Sequence, residues 1–301
     1  MYGETMVRKI AGFNKHDYRQ AEKEIYSTMS RLHLEWVKNG RLVATAPTSS
    51  EQVIVFLHGL LGTGRNLGNL ARKLTAARPE LSGVLVDIRG HGKSRNGHVG
   101  PHTFQAAARD VQYTLEEWGI QQAAIVGHSM GGRLALQCAQ EAQNNFTTTW
   151  LLDTVPGQAH SSVAKVIDAV SSIKLPVQSK QDLVDQLTNQ HGLTSDIANW
   201  MSTNLENDKS SAGFRFNFDL EIVHDILQEF PNQDFYGQLH NCKGPVHVVR
   251  AGKNKEWNAE TLRRLEEMPE HVRLHTLANA GHWVHVDALD DLVNLILPSL
   301  V

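Results

Sequence analysis

Ala123-Ala124-Ile125-Val126-Gly127-His128-Ser129-Met130-Gly131-Gly132 is the stretch whose reading decides the fold, and a helix-like run from Arg133 to Gln140 follows it. A short apolar run enters G-x-S-x-G and a helix leaves it. Strand, sharp turn and helix in that order lift a serine hydroxyl to the top of a sheet, and only small flanking residues let strand and helix approach so closely. Gly127 and Gly131 meet that need and Gly132 adds room. The helix beginning near Met130 aims free N–H groups at the same spot, where they can stabilise developing negative charge. Alone, G-x-S-x-G is weak, because loops are rich in glycine and serine. Between a strand and a helix it points to a nucleophile at Ser129.

Strand and helix patterns alternate outward from this turn, which signals a mostly parallel sheet with helices on both faces. Leu32–Val37 and Arg41–Thr45 read as a hairpin around Asn39-Gly40. Val53–Leu57 and Gly83–Ile88 read as buried strands, and Leu67–Ala77 and Phe104–Trp118 as helices. Thr148–Leu152 is a further strand that ends at Asp153. The rhythm then breaks from Pro156 to about Tyr236, where four helical segments (162–172, 180–190, 195–204 and 219–229) replace strands. It resumes with strands at Pro245–Arg250 and Val272–Leu277 and helices at Asn258–Glu267 and Leu289–Leu297. The expected organisation is an N-terminal extension over 1–30, a core formed by 31–155 and 237–301, and a helical cap over 156–236. Val163, Ile167, Leu183, Leu187, Trp200, Met201 and Phe218 give that insertion more apolar surface than isolated helices need, so some should pack inward and others line a pocket.

Composition limits the function classes. The chain has 301 residues, 41% hydrophobic and 20% charged, which suits a globular protein with one sizeable core. A net charge of −3 argues against a nucleic-acid surface. No apolar run reaches the length of a membrane span. Two cysteines, Cys138 and Cys242, do not make a disulfide framework. Residues 1–30 lack an apolar signal-peptide core and mix bases with acids, unlike an acid-poor transit peptide. A cytoplasmic location is expected, or an organelle matrix if that segment is a targeting sequence.

A serine nucleophile needs a base, an acid that orients the base, and donors for the oxyanion. The base is best read as His282, in Ala280-Gly281-His282-Trp283 after the last strand, with His285 three residues on as its neighbour. The oxyanion donors fall to the N–H of Met130, after the nucleophile, and that of Leu60, in the turn Phe56-Leu57-His58-Gly59-Leu60-Leu61-Gly62. The acid is harder to place. The loop Arg250–Glu256 after the next-to-last strand contains no Asp, and its only acid is the late Glu256. Asp153 closes the strand next to the nucleophile and can reach a histidine from there. Asp219 remains an alternative, although its setting resembles a helix N-cap. Two other patterns carry no such chemistry. Gly90-His91-Gly92-Lys93-Ser94 lacks the first glycine of a phosphate loop, and His98 and His102 flank Pro101 without a completing carboxylate or cysteine cluster. Both read as solvated loops, and no metal site or cofactor is expected.

Together, His58–Gly62, Asp87–Ser94, Gly127–Gly132 and Ala280–His285 resemble the α/β-hydrolase superfamily over Leu32 to Val301. They are most similar to the branch of α/β-hydrolase domain-containing protein 11 and small bacterial acyl esterases. The resemblance implies the α/β-hydrolase fold, a mostly parallel eight-stranded sheet flanked by helices with a helical cap. It also implies esterase or thioesterase action on small-molecule acyl substrates. Members of that branch lack the usual Asp and carry one where Asp153 stands. An Asp matching Asp219 in some members keeps that alternative open. Eukaryotic members are associated with mitochondria. Two rivals share the scaffold: C–C bond hydrolysis or lysis with the same triad, and a ligand receptor. A carboxylate-rich C–C substrate would need arginines in the pocket, for which Arg65, Arg89, Arg133 and Arg215 are available.

Overall fold

A computed structural model describes residues 28–48, 51–142, 145–157, 161–230 and 233–300. The extension expected over 1–30 therefore lies outside the described residues except for its last three. There the Ser30 N–H donates to Asp110 Oδ1 at 2.7 Å and the Thr28 carbonyl accepts from Arg89 Nη2 at 3.1 Å.

The opening strands are β1 (Leu34–Lys38) and β2 (Arg41–Val43). They are joined by Asn39 and Gly40 with φ of 48° and 73°, the left-handed pair that a tight hairpin turn requires. Strands β3 (Gln52–Leu57), β4 (Leu81–Val86), β5 (Ala123–His128) and β6 (Phe146–Leu152) alternate with helices α1 (Gly68–Ala77), α2 (Phe104–Glu117) and α3 (Met130–Glu141). Beyond β6 come α4 (Ser161–Ser172), α5 (Lys180–Asn189), α6 (Ser195–Thr203), the short strands β7 (Leu205–Asn207) and β8 (Phe214–Phe216), then α7 (Leu220–Gln228) and α8 (Phe235–Asn241). The chain closes with β9 (Val246–Ala251), α9 (Ala259–Glu266), β10 (Val272–Leu277), α10 (Val284–Asp287) and α11 (Leu289–Ile296).

Eight strands form one sheet in the order β2-β1-β4-β3-β5-β6-β9-β10. Only β1 runs antiparallel to its neighbours. The central strands are apolar on both faces because helices cover both. In β3, Val53, Val55 and Leu57 join one core layer while Ile54 and Phe56 join the other. The expected α/β-hydrolase architecture is thus present. The insertion is not purely helical, since β7 and β8 pair antiparallel within it. It has its own apolar cluster, which contains Ile167, Leu183, Leu187, Met201 and Phe218.

Connectivity locates the functional crevice. From β3 the chain crosses to β4 on one side, then returns to β5 on the other. The turns after β3 and β5 diverge at that switch point, leaving a cleft at the carboxyl ends of the strands. Gly59-Leu60 leaves β3 there and Ser129 leaves β5.

Candidate active site

Ser129 occupies φ 53°, ψ −118°, a strained conformation for a residue with a side chain. Such strain costs about 1–3 kcal/mol and persists only where the surroundings enforce it. Here the Ser129 N–H donates to the Leu152 carbonyl at 2.9 Å, and its own carbonyl accepts from the Gly132 N–H at 3.0 Å and Thr154 Oγ1 at 3.1 Å. The flanking glycines are steric necessities. A Cβ on Gly127 would collide with the Gly131 carbonyl, one on Gly131 with the Leu57 and His58 carbonyls, and one on Gly132 with Thr154 Oγ1. Met130 opens α3, so its N–H has no acceptor within the helix.

The turn after β3 sits against the elbow. A Cβ on Gly59 would lie 3.0 Å from His128 Nδ1 and 3.5 Å from Ser129 Cβ. The Gly62 N–H closes the turn on the Gly59 carbonyl at 3.1 Å. Leu61 adopts φ 58°, and two anchors hold it there. Its side chain is buried in the insertion's apolar cluster, and its N–H donates to His91 Nε2 at 3.1 Å.

His91 belongs to the Gly90–Ser94 segment expected to be a solvated loop, and the structure corrects that expectation. Gly90, His91, Gly92 and Ser94 are buried, and His91 Nδ1 donates to the Arg89 carbonyl at 2.9 Å. Burial beside His58 pushes the His91 imidazole down to about 3, so it stays neutral and keeps its Nε2 lone pair for Leu61. His58 is matched to it edge-to-face, ring centroids 5.1 Å apart, and burial holds it near 4. The His58 ring donates from Nδ1 to the Gly59 carbonyl at 2.8 Å and accepts the Ile88 N–H at 3.1 Å. Val99, Gly100 and Pro101 are exposed as expected, but the His98 side chain is buried and His102 is half-buried. The two histidines flank the buried Arg89–Asp110 ion pair, His98 Nδ1 3.5 Å from Asp110 Oδ2 and His102 Nδ1 3.2 Å from Arg89 Nη1. No group of three or more potential metal ligands occurs among the described residues.

His282 Nδ1 donates to Asp153 Oδ2 at 2.7 Å, joining the loop after β10 to the end of β6. The Asp153 side chain is fully buried while that of His282 is 41% exposed, so the ring faces the cleft and the carboxylate sits behind it. Three further donors saturate the carboxylate: Trp257 Nε1 at 2.6 Å and the Ala251 N–H at 2.9 Å on Oδ1, and Asn254 Nδ2 at 2.6 Å on Oδ2. Asp153 itself has φ 44°. The loop that lacks an Asp therefore serves the Asp of the neighbouring strand, with Asn254 and Trp257 as donors. Their amide and indole types were the available signal, and the sequence reading did not use it. Asp219 stands apart. It caps α7, accepting the Glu221 and Ile222 N–H groups at 3.0 and 3.2 Å.

His128 was also missed. It lies buried between His282 and His285, with ring centroids 4.7 and 4.6 Å away, and its Nε2 donates to the His282 carbonyl at 2.9 Å. Burial, reinforced by His285 and His282, pushes its imidazole well below the ordinary range, and burial holds His285 near 4. His285 is on α10, behind His128.

Ser129, Leu60 and His282 share a cleft of about 540 Å³ with Val163, Val166, Ile197, Trp200, Trp283 and Val286 along its walls. Glu256 also lines it, but the His282 Nδ1 bond goes to Asp153. None of the four arginines considered for the pocket is there. Arg89 pairs with Asp110, Arg65 with Glu35 and Arg215 with Glu206. Arg133 donates to the Val155 and Gly157 carbonyls at 2.8 Å each and faces Phe235 and Phe230. No helix among the described residues is long and apolar enough to cross a membrane.

Comparison with known proteins bears on the fold and the family. The chain is 27% identical over 257 residues to the sn-1-specific diacylglycerol lipase ABHD11 of Mus musculus, covering 82% of this chain and 80% of that protein. It is 27% identical over 252 residues to the esterase YbfF of Escherichia coli (strain K12), covering 81% and 91%. Among solved structures, a marine microorganism esterase superposes with a TM-score of 0.76 at 19% identity, covering 90% of this chain and 99% of its own. The family model for the alpha/beta hydrolase fold matches residues 52–289, most of the chain, and the protein belongs to the α/β-hydrolase family.

Proposed function

We propose that this protein is a serine hydrolase that cleaves carboxylic esters or thioesters through an acyl-enzyme on Ser129. The observation that carries the reading is the 2.7 Å bond from His282 Nδ1 to the buried, four-donor Asp153 carboxylate, on a histidine that shares one cleft with Ser129. Asp153 fixes the tautomer with Nδ1 protonated, which leaves Nε2 free to act as base. In the proposed cycle His282 takes the Ser129 proton as Oγ attacks the acyl carbonyl. The Leu60 and Met130 N–H groups bind the oxyanion, and the protonated imidazole then returns its proton to the leaving alcohol or thiol. Water, activated by the same histidine, releases the acid. The residues in these roles need neither metal nor cofactor.

Esterase and lipase relatives support hydrolysis of esters in general, and the strained elbow supports Ser129 as the attacking group. Residues 156–236 serve as the cap in this reading. Val163 and Trp200 of that segment line the cleft, while Ile167, Leu183 and Leu187 are core. C–C hydrolysis of a carboxylate-rich substrate is disfavoured by the four committed arginines. The test is covalent labelling. A fluorophosphonate probe should modify the protein, with the adduct on Ser129 by peptide mass spectrometry, and Ser129→Ala should abolish both labelling and p-nitrophenyl ester turnover. Equal labelling of the alanine variant would refute the assignment.

A further inference from the structure

We propose that the Ser129 cleft selects acyl groups by charge, taking uncharged and cationic chains and rejecting chains that carry a carboxylate or phosphate. The inference rests on the hydrolase reading above and adds the substrate class. Among the described residues lining the cleft there is no lysine or arginine, while Asp196 and Glu256 both line it. Lys253 and Lys255 share the Asn254 loop but are exposed and outside the lining.

Among the described lining residues, the other groups able to carry positive charge are neutral or matched. His128 and His285 are the two additional imidazoles in the lining, and burial keeps both neutral. When His282 gains a proton, its charge is matched by Asp153 at 2.7 Å. Arg133 lies close enough to Glu256 for their charges to interact, so its field offsets that acid, and its guanidinium donates to the Val155 and Gly157 carbonyls. Asp196, in the exposed first turn of α6, then remains as the acid of the lining on the cap side, while the Lys165 ammonium lies outside the lining on the Gly192 carbonyl. The remaining walls are mostly apolar, with Asn66 and Thr194 as neutral polar side chains and no cation for a carboxylate. Val163, Val166, Ile197 and Val286 are apolar, and Trp200 and Trp283 approach to 6.1 Å between ring centroids. An anion entering here loses hydration and gains at most neutral donors, with no lysine or arginine among the described lining residues to match its charge. A cation meets the aromatic faces of Trp200 and Trp283 and the Asp196 carboxylate, which suit it.

The experiment compares three esters with the same leaving group and chain length: p-nitrophenyl hexanoate, mono-p-nitrophenyl adipate and the p-nitrophenyl ester of ω-trimethylammonio-hexanoate. The adipate should have a kcat/KM lower than the hexanoate by about tenfold or more, the scale of like-charge repulsion in a partly screened cleft. Added NaCl should narrow that gap by screening. The trimethylammonio ester should be turned over at least as well as the hexanoate. Asp196→Lys should raise the adipate-to-hexanoate ratio. If the adipate equals or exceeds the hexanoate, with turnover dependent on Ser129, charge selection is refuted and the hydrolase reading stands. If no ester turns over, the hydrolase reading falls, and binding then decides the inference through tryptophan emission titrated with hexanamide and with adipamic acid. Weaker binding of adipamic acid supports charge selection, and equal or tighter binding overturns it.

Discussion

Asp153 and Asp219 have the same side chain, and their surroundings divide the work between them. Asp153 receives four donors and lies fully buried behind His282, whereas Asp219 satisfies two amides at a helix start. The two substitutions should therefore separate cleanly. Asp153→Asn should lower kcat by about 10³–10⁴, because an amide in place of the acceptor favours the wrong imidazole tautomer. Asp219→Ala should cost about 1 kcal/mol of stability, the worth of a lost N-cap, with kcat retained. Steady-state kinetics together with urea titration of both variants decides the matter, and a dead Asp219→Ala enzyme of normal stability would reverse the assignment. At this scale the sequence was informative about Ser129 and His282, since each stands in a motif whose spacing has a mechanical reason. Asp153 could only be narrowed down, because the contact to His282 spans 129 positions and depends on which strand ends are neighbours. Asn254, Trp257 and His128 could not be assigned partners for the same reason: each acts through a residue about a hundred or more positions away.

Turns, more than strands or helices, form the site. Four non-glycine residues among those described have positive φ. One, Asn39, makes the hairpin, and the other three, Leu61, Ser129 and Asp153, lie on the three turns that meet at the cleft. The segment after β4 is their brace. The Asp87 carboxylate accepts the Gly64 and Lys93 N–H groups at 2.9 Å each, and His91 accepts that of Leu61. Replacing the His91 imidazole by an isosteric apolar ring, His91→Phe, removes the acceptor for a buried N–H. If Leu60 is the oxyanion donor of the proposed cycle, it should then lose its orientation, and kcat should fall about tenfold or more with KM little changed, as for an interaction made chiefly in the transition state. His91→Asn or His91→Gln, which can offer an acceptor, should recover part of the loss. If His91→Phe alters stability alone, the brace has no part in catalysis. This segment read as solvated because glycine, histidine, lysine and serine together are a loop composition, and composition does not show what covers a loop. The same limit hid β7 and β8, whose three-residue strands are too short to display alternation. Long elements were legible because their apolar periods repeat often enough to identify a buried face, as in β3 and α2.

In the whole molecule, several histidines are buried as neutral rings around one cleft, and that arrangement has a consequence for stability. Burial lowers His58 and His285 to about 4 and His91 to about 3 from an ordinary value of 6.5. Above that ordinary value the folded and unfolded chains are both neutral at these positions, and the groups leave stability independent of pH. As the pH falls below it, the unfolded chain takes up protons that the folded chain refuses, and the balance moves toward unfolding. The slope is about 1.4 kcal/mol per pH unit for each such imidazole, and it persists until the folded-state values near 3 to 4 are approached. Three imidazoles acting together over one to two pH units rival the whole stability of a typical domain, about 5–15 kcal/mol. The urea midpoint should accordingly drop steeply between about pH 6.5 and about pH 5, mostly before ordinary carboxylates near 4 begin to titrate. His285→Phe, which keeps an aromatic ring against His128 but cannot bind a proton, should make that slope shallower by roughly one imidazole's share. Urea unfolding followed by tryptophan emission across that range gives the measurement. A midpoint that stays level from about pH 7 to about pH 5 in the unmodified protein would mean that the buried rings open to solvent or protonate in place, and the neutral histidine framework around the cleft would have to be abandoned.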